Sequence, residues 1–395
     1  MTLRACLVAC GVTFATACQS VPEYHKLSPN AWGLAADSSR VVKSSPIKLS
    51  PSFFLTLPSD SIQYSMERSI DLAVGTWGAK CVVAVADRVD RAVHLFAADG
   101  EYQATIFGGG RDTSNFDGIF SVALSHGRLG IGDLVKRGVW LVDENGNIRF
   151  VPLPSPVAPE PRRFAFALGK AALYELWPGQ NGKSSAHWPD LGIPTVRIVS
   201  LEGAGAGGFG SLRPFPGRAF TGALNVGRLK LYRDTLWLGD AASATVVAYP
   251  LEGAPQSEAP RQLHLPIFRS PRAALELHGP AQDDAEALVE YQLLTFVMAP
   301  GGEFFTIQAT SYPEYSPAGA SFVPEVVVAA VSADGKLIGT YELGARPVAL
   351  AVTRAFVFAI VADSGRGRTR VVAFPNPLSE TSLLGVRTHD ESCDP

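Results

Sequence analysis

Four segments of the chain follow one grammar, and that repetition constrains the fold more than any single motif. The first, "SIDLAVGTWGAKCVVAVADRVDRAVHLFAADGEYQATIF", reads strand, tight turn, strand ending in Asp87, short loop, strand, Ala-Asp-Gly turn, strand. The second, "FSVALSHGRLGIGDLVKRGVWLVDENGNIRFVPL", places its turn at His126-Gly127, ends its second strand in Asp133 and turns again at Glu144-Asn145-Gly146. "ALNVGRLKLYRDTLWLGDAASATVVAYPLEG" has Asp240 in the same position and closes on Leu251-Glu252-Gly253. "RPVALAVTRAFVFAIVADSGRGRTRVVAFPNP" has Asp363 there, with Pro375-Asn376-Pro377 where the glycine turn stood. Two looser units fill the gaps: "RFAFALGKAALYELW" continuing into "TVRIVSLEG", and "YQLLTFVMAPGGEFFTIQ" continuing into "EVVVAAVSADGKLIGTYEL". Glu175 and Gln308 stand near the aspartate position in these two.

Each unit is four short runs rich in β-branched and aromatic residues, joined by Gly, Asn and Asp turns, which is the pattern of antiparallel hairpins. One such sheet cannot bury both its faces alone, so the units must stack, and a radial ring stacks them while leaving only short, protected edges. The expected fold is therefore all-β: a six-bladed β-propeller of four-stranded antiparallel blades over residues 46–378. The run "PIKLSPSFFLTL" ahead of the first clear unit is expected to add an outer strand to the last blade and close the ring. A chain of 395 residues has room for two or three ordinary domains or one such ring. With 47% hydrophobic and 18% charged residues, it is rich enough in apolar side chains to build that core. A net charge of −3 gives no general attraction for nucleic acid.

The stretch "DGEYQATIFGGGRDTSNFDGIFSVALSHGRLGIGDLVKRGVWLVDENG" resembles the NHL-type repeats of bacterial six-bladed propeller lipoproteins. The features shared are an Asp-Gly turn, a glycine-rich connector, a Phe before the inner strand, an apolar strand ending in Asp and a further apolar strand to the next turn. The match is good over residues 101–146, fair in the other Asp-bearing units and weak in the third and fifth. The resemblance implies the fold and mostly binding roles, and lends little about chemistry.

The N-terminus carries an address. "MTLRACLVACGVTFATACQS" has one basic residue, Arg4, then an uncharged run from Ala5 to Ala17, the length of a secretory apolar region and too short to span a bilayer. The run ends in Ala15-Thr16-Ala17-Cys18, which resembles the lipobox of bacterial lipoproteins and implies acylation of Cys18 after removal of residues 1–17. Leu7-Val8-Ala9-Cys10 is the alternative box, but cleavage there would leave only a few apolar residues; an ordinary signal peptide is the plainer reading of both. Acylation would anchor the protein to a membrane without spanning it. Gln19 after the cysteine implies outer-membrane sorting in bacteria with two membranes. Residues 18–45, polar and Ser-rich, are expected to serve as a flexible tether, and 379–395 as a C-terminal tail. Two thiols then remain in an oxidising compartment: Cys81 and Cys393 either form a bridge that closes the whole domain, or Cys81 is a buried strand residue and Cys393 stands free in "HDESCDP".

Reactive residue types are numerous but poorly arranged for catalysis. Asp87, Asp133, Asp240 and Asp363 recur where a strand ends, so their expected role is structural: a short carboxylate capping backbone N–H groups of the following loop. His94 is expected to be a half-exposed strand residue. The seven histidines include no pair at metal-ligand spacing, so no zinc site is indicated. "FGGGRD" and "GAGAGGFGS" lack the Lys-Ser/Thr of a phosphate loop, and no Gly-x-Ser-x-Gly elbow occurs. Calcium-dependent lactonases and esterases are known among six-bladed propellers. Here only Asp71 and Asn225 are placed to face the axis, and two oxygens fall short of the six or more that calcium takes. No catalytic residue, metal ligand or cofactor is assigned.

The inserts are the stronger clue. Turns alternate between the two faces of an up-and-down blade, so loops after the second and fourth strands share one side, and the chain lengthens there. "WPGQNGKSSAHWPDLGIP" interrupts the third unit and "ATSYPEYSPAGASFVPE" the fifth; a third insert, from Glu252 to about Glu290, holds the strand "QLHLPIF" and a short helix expected near 283–291. Trp177, His187, Trp188, Tyr312, Tyr315 and Phe322 are thereby brought to one rim, where they either pack the inserts down or meet a glycan, peptide or protein partner. The leading expectation is a monomeric, exported, lipid-anchored envelope protein that binds a partner through this face. A metal-dependent hydrolase at the channel mouth is the alternative, and a purely structural scaffold the third.

Overall fold

The second strand of the first unit, Lys80–Asp87, is buried at every position after the first, as expected of a strand covered on both faces. In the computed structural model, Val82, Ala84 and Ala86 pack toward the next unit and Val83 and Val85 toward the last one. Period-two alternation therefore feeds two interfaces rather than one core and one surface. The structure describes residues 41–42, 45–58, 64–107, 116–153, 165–176, 196–203, 205–209, 228–240, 245–251, 261–268, 290–316, 319–363, 368–379 and 393. All the regular elements among them are strands.

Six antiparallel sheets of the same order result. Blade 1 is Ser69–Trp77, Lys80–Asp87, Ala92–Ala97 and Tyr102–Phe107. Blade 2 is Ile119–Ser125, Arg128–Asp133, Gly138–Asp143 and Ile148–Pro152. Blade 3 is Ala165–Leu168, Ala172–Leu176, Val196–Ser200 and Gly205–Phe209. Blade 4 is Arg228–Tyr232, Thr235–Asp240, Thr245–Pro250 and Arg261–His264. Blade 5 is Glu290–Met298, Phe304–Ser316, Gly319–Val331 and Leu337–Glu342. Blade 6 is Arg346–Val352, Phe356–Ala362 and Thr369–Pro375, completed on its outer side by Phe53–Phe54. The protein is a six-bladed β-propeller.

Burial falls outward across a blade. Ile148–Pro152, an outer strand, has one buried residue in five, whereas Gly138–Asp143 beside it has five in six. Each gap between neighbouring blades holds its own apolar cluster, and the ring of six closes with blade 6 against blade 1. There Phe96, Val83 and Val85 meet Phe358 and Ile360, all 0% exposed. Burying each such ring contributes about 3 kcal/mol.

The last seam is fastened several ways. Phe53–Phe54 pairs antiparallel with Thr369–Pro375, and the Phe53 ring meets Phe356 edge-on at 5.1 Å. Thr369 donates its N–H to the Glu67 carbonyl at 2.9 Å and its hydroxyl to that of Ser69 at 3.1 Å. The N-terminal run does more than expected: Ile47–Lys48 joins blade 5 in parallel with Tyr341 and Glu342, and Val41–Val42, inside the stretch read as a tether, pairs with Ile267–Phe268. The helix expected near 283–291 meets a strand at its end, since Glu290 and Tyr291 pair with Ser311 and Thr310; residues 283–289 lie outside the described residues.

Candidate functional site

The turns between second and third strands lie on one face of the ring, here called upper, and those between first and second strands on the other. Asp87 ends the second strand of blade 1, is 0% exposed, and accepts hydrogen bonds from the N–H groups of Val89 and Asp90 through Oδ1 and of Arg68 through Oδ2, at 2.8–3.0 Å. Asp133 in blade 2 repeats this geometry with Val135, Lys136 and Asp117 and adds the Trp140 indole N–H at 3.2 Å. Each carboxylate thus ties an upper loop to the start of its own inner strand. Arg91 and Arg137, four residues on, share a positive φ of 50° and 55°, so the two loops repeat in backbone conformation as well. The Asp363 carboxylate is 3.2 Å from the Arg370 guanidinium, and the loop it is expected to cap, 364–367, lies outside the described residues. The side chain of Asp240 lies outside the described residues.

Asp71 does not serve the axis. Its Oδ2 accepts from the Ser121 hydroxyl and the Val122 N–H, both at 2.9 Å, and so stitches the inner strand of blade 1 to that of blade 2. Asn225 lies outside the described residues, and no group of three His, Cys, Asp or Glu side chains that could hold a metal ion occurs among those described.

His94 corrects an expectation. It is 0% exposed rather than half-exposed, because its side of the strand is covered by the segment leading into blade 1, with the Tyr64 ring 5.8 Å away. Asp90 Oδ2 accepts from the Ser65 and Met66 N–H groups at 3.0 Å and lies 3.3 Å from His94 Nε2. Nε2 therefore carries the hydrogen, Nδ1 accepts from the Thr105 hydroxyl at 2.8 Å, and that oxygen accepts from Tyr102 Oη at 2.9 Å. Burial lowers the His94 pKa and outweighs the opposing pull of Asp90. The chain of bonds locks the seam with a neutral imidazole.

In the looser blades the aspartate position holds other groups. Glu175 is buried, with Arg197 at 3.6 Å, and desolvation pushes its pKa up to about 7 against the opposing effect of that guanidinium. Among the described residues, its Oε2 has no hydrogen-bond partner. Gln308 is also buried and donates to the Pro266 carbonyl at 3.0 Å.

The insert of the fifth unit is a ladder. Its residues continue the second and third strands of blade 5 to thirteen residues each, against five to eight in the other blades. Tyr312 pairs with Val323, Phe322 with Pro313 and Tyr315 with Ala320, so these three aromatics ride on a two-stranded extension above the blade. Trp177, His187 and Trp188, expected on the same rim, lie outside the described residues, as do Cys18 and the segment before residue 41.

One feature had no signal in local sequence. Along the axis, toward the lower face, lies a cavity of about 130 Å³ whose wall takes one apolar residue or more from every inner strand, Leu72, Val122, Leu168, Leu229, Val297 and Leu350 among them. Cys393 lines it too: it is disulfide-bonded to Cys81, with the Cα atoms 5.1 Å apart, and its Sγ lies 3.4 Å from the Gly75 carbonyl. Gly75 sits where the inner strands converge, and a Cβ there would stand 2.8 Å from the Leu124 carbonyl oxygen.

No family model matches the chain, and no curated protein matches it. Among solved structures it is similar to a candidate exported protein of Bacteroides fragilis, at 8% identity and a TM-score of 0.51, over 85% of this chain and 99% of that one. It is also similar to the calcium-binding protein regucalcin of Agrobacterium tumefaciens, at 11% identity and a TM-score of 0.46, over 85% and 97% of the two chains. A third is virginiamycin B lyase of Staphylococcus aureus, at 8% and 0.44, over 80% and 97%. At 8% identity the first of these likenesses speaks for the fold alone, and the other two carry no argument.

Proposed function

We propose that this chain is an exported, lipid-anchored propeller of the NHL type that binds a glycan, peptide or protein through its upper face. The blade 5 extension carries the reading: six or so residues per strand, about 20 Å of ladder, rise beyond the blade with Tyr312, Tyr315 and Phe322 in sequence. Binding residues concentrate where a rigid scaffold presents extra chain, and aromatics there combine apolar area with a polar handle. The acidic residues also favour binding over hydrolysis: Asp71, Asp87 and Asp133 are engaged with backbone N–H groups. The lipobox-like Cys18 would place the face at a membrane surface.

The test is an array of envelope glycans and peptides probed with the full chain and with Tyr312→Ala and Tyr315→Ala variants. A ligand bound by the parent and at least tenfold weaker in the variants is expected. Stoichiometric calcium, removed by chelator together with lactone or ester turnover, would replace this reading by the hydrolase one. Cys18→Ala should release the protein from membranes, and continued retention would reject the anchor.

A further inference from the structure

We propose that the outer rim of blades 5 and 6 rests on a lipid bilayer, with Ile47 and Phe54 entering the lipid–water interface. The inference rests on the anchor at Cys18 proposed above and adds to it the surface that meets the membrane. The N-terminal run crosses the outside of three blades: Val41–Val42 beside Ile267–Phe268, Ile47–Lys48 beside Tyr341–Glu342, and Phe53–Phe54 beside Ala373 and Val372. Residues directly opposite one another in a ladder point to the same face of the sheet. Ile47 therefore shares the side of Tyr341, and Phe54 that of Val372, and both partners belong to the apolar cluster between blades 5 and 6. Leu49, next on the same side as Ile47, packs against that cluster. Ile47 and Phe54 stand at its outer mouth, one from each blade, and remain 61% and 49% exposed. Ile338, in the outer strand of blade 5, adds a third apolar side chain at 47%.

Scattered single apolar side chains are ordinary on a protein surface, whereas a group of them marks a contact. The course of the chain names the occupant. The segment that carries Ile47 and Phe54 continues, toward its N-terminus, to Cys18, which lies at most about 80 Å from Val41 even with the chain fully extended. A tether keeps nearest its anchor the part of the molecule it leaves from, so this rim meets the bilayer far more often than the rim across the ring. A contact too weak to hold a free protein suffices there, because the acylated cysteine has already supplied the effective concentration. Lys48 stands opposite Glu342, so these two charges offset and the contact is expected on neutral lipid. With the rim down, the propeller axis lies along the membrane and the upper face stays open to a partner.

The experiment places a bimane fluorophore on the acylated full chain at Ser50→Cys, in the crossing between the two blades, or at Arg149→Cys, in the outer strand of blade 2 across the ring. Each is reconstituted in phosphatidylcholine vesicles with brominated acyl chains, which quench a fluorophore that reaches them. Quenching at position 50 at least threefold stronger than at 149 is expected. Ile47→Asp/Phe54→Asp should bring the two positions level while the protein stays with the vesicles. Ile47→Asp alone, which leaves the closing strand of blade 6 untouched, should remove at least half of the difference and serves if the double variant melts early. Equal quenching at the two positions in vesicle-bound protein, or a difference that survives the Asp variants, overturns the docking and leaves the anchor standing. Protein that stays out of the vesicles with Cys18 intact overturns both.

Discussion

Four donors converge on the Asp133 carboxylate: three backbone N–H groups and the Trp140 indole. Removing the acceptor leaves them without a partner in a fully buried spot, at about 1–3 kcal/mol for each that water cannot reach. Asp133→Ala is therefore expected to cost about 3 kcal/mol or more in urea unfolding; a change within 0.5 kcal/mol would show that the loop does not depend on it. Two other buried groups give opposite pH dependences. His94 titrates below its ordinary 6.5, so the unfolded chain binds its proton first; stability is full above pH 6.5 and falls as pH drops further. Glu175 is raised from 4.5 to about 7, so its contribution is full below pH 4.5 and is lost as pH rises through 7. In unfolding midpoints measured from pH 4 to 8, Glu175→Gln should remove the loss of stability that accompanies rising pH between 4.5 and 7, while the gain with rising pH that His94 contributes below 6.5 stays. The recurrence of Asp at strand ends made the caps legible in sequence. His94 was not, because alternation along one strand carries no information about Tyr64 and Asp90 closing over it.

At the scale of elements, the repeats fixed the order of four strands per blade, because each turn residue and each apolar run served the same hairpin. Pro313, Pro317 and Pro324 give the fifth unit's insert the composition of a loop. Pro313 and Pro324 instead lie in the paired extension, opposite Phe322 and Ser311. Beyond Ser311 the described pairings join only these two strands, so among the described residues a proline there forfeits no ladder bond to a third strand. "QLHLPIF" was legible as an outer strand only in part: Arg261–His264 pairs within blade 4, but Ile267–Phe268 leaves it for Val41–Val42. Such a parallel contact between segments far apart in the chain leaves no periodic trace.

The whole molecule is a ring whose ends meet at one seam, where the Phe53–Phe54 strand, the Thr369 bonds and the Cys81–Cys393 bridge all act. The sequence showed both thiols but not their separation, since spacing along the chain says nothing about distance once six blades intervene. Opening the bridge in the Cys81→Ser/Cys393→Ser variant should lower stability by about 2–4 kcal/mol, measured as a lower urea midpoint; an unchanged midpoint would mean that the strand and Thr369 alone hold the ring. The closing strand also sets a schedule. Phe53–Phe54 leaves the ribosome well before its partner, Thr369–Pro375. At about 5–20 residues per second, the intervening chain takes on the order of tens of seconds to synthesise. Throughout that interval blade 1 has no blade 6 to cover it and Phe53 has no ladder to join, so the nascent chain is a set of hairpins with an open apolar flank. The ring can close only once blade 6 exists, so that flank stays uncovered until then.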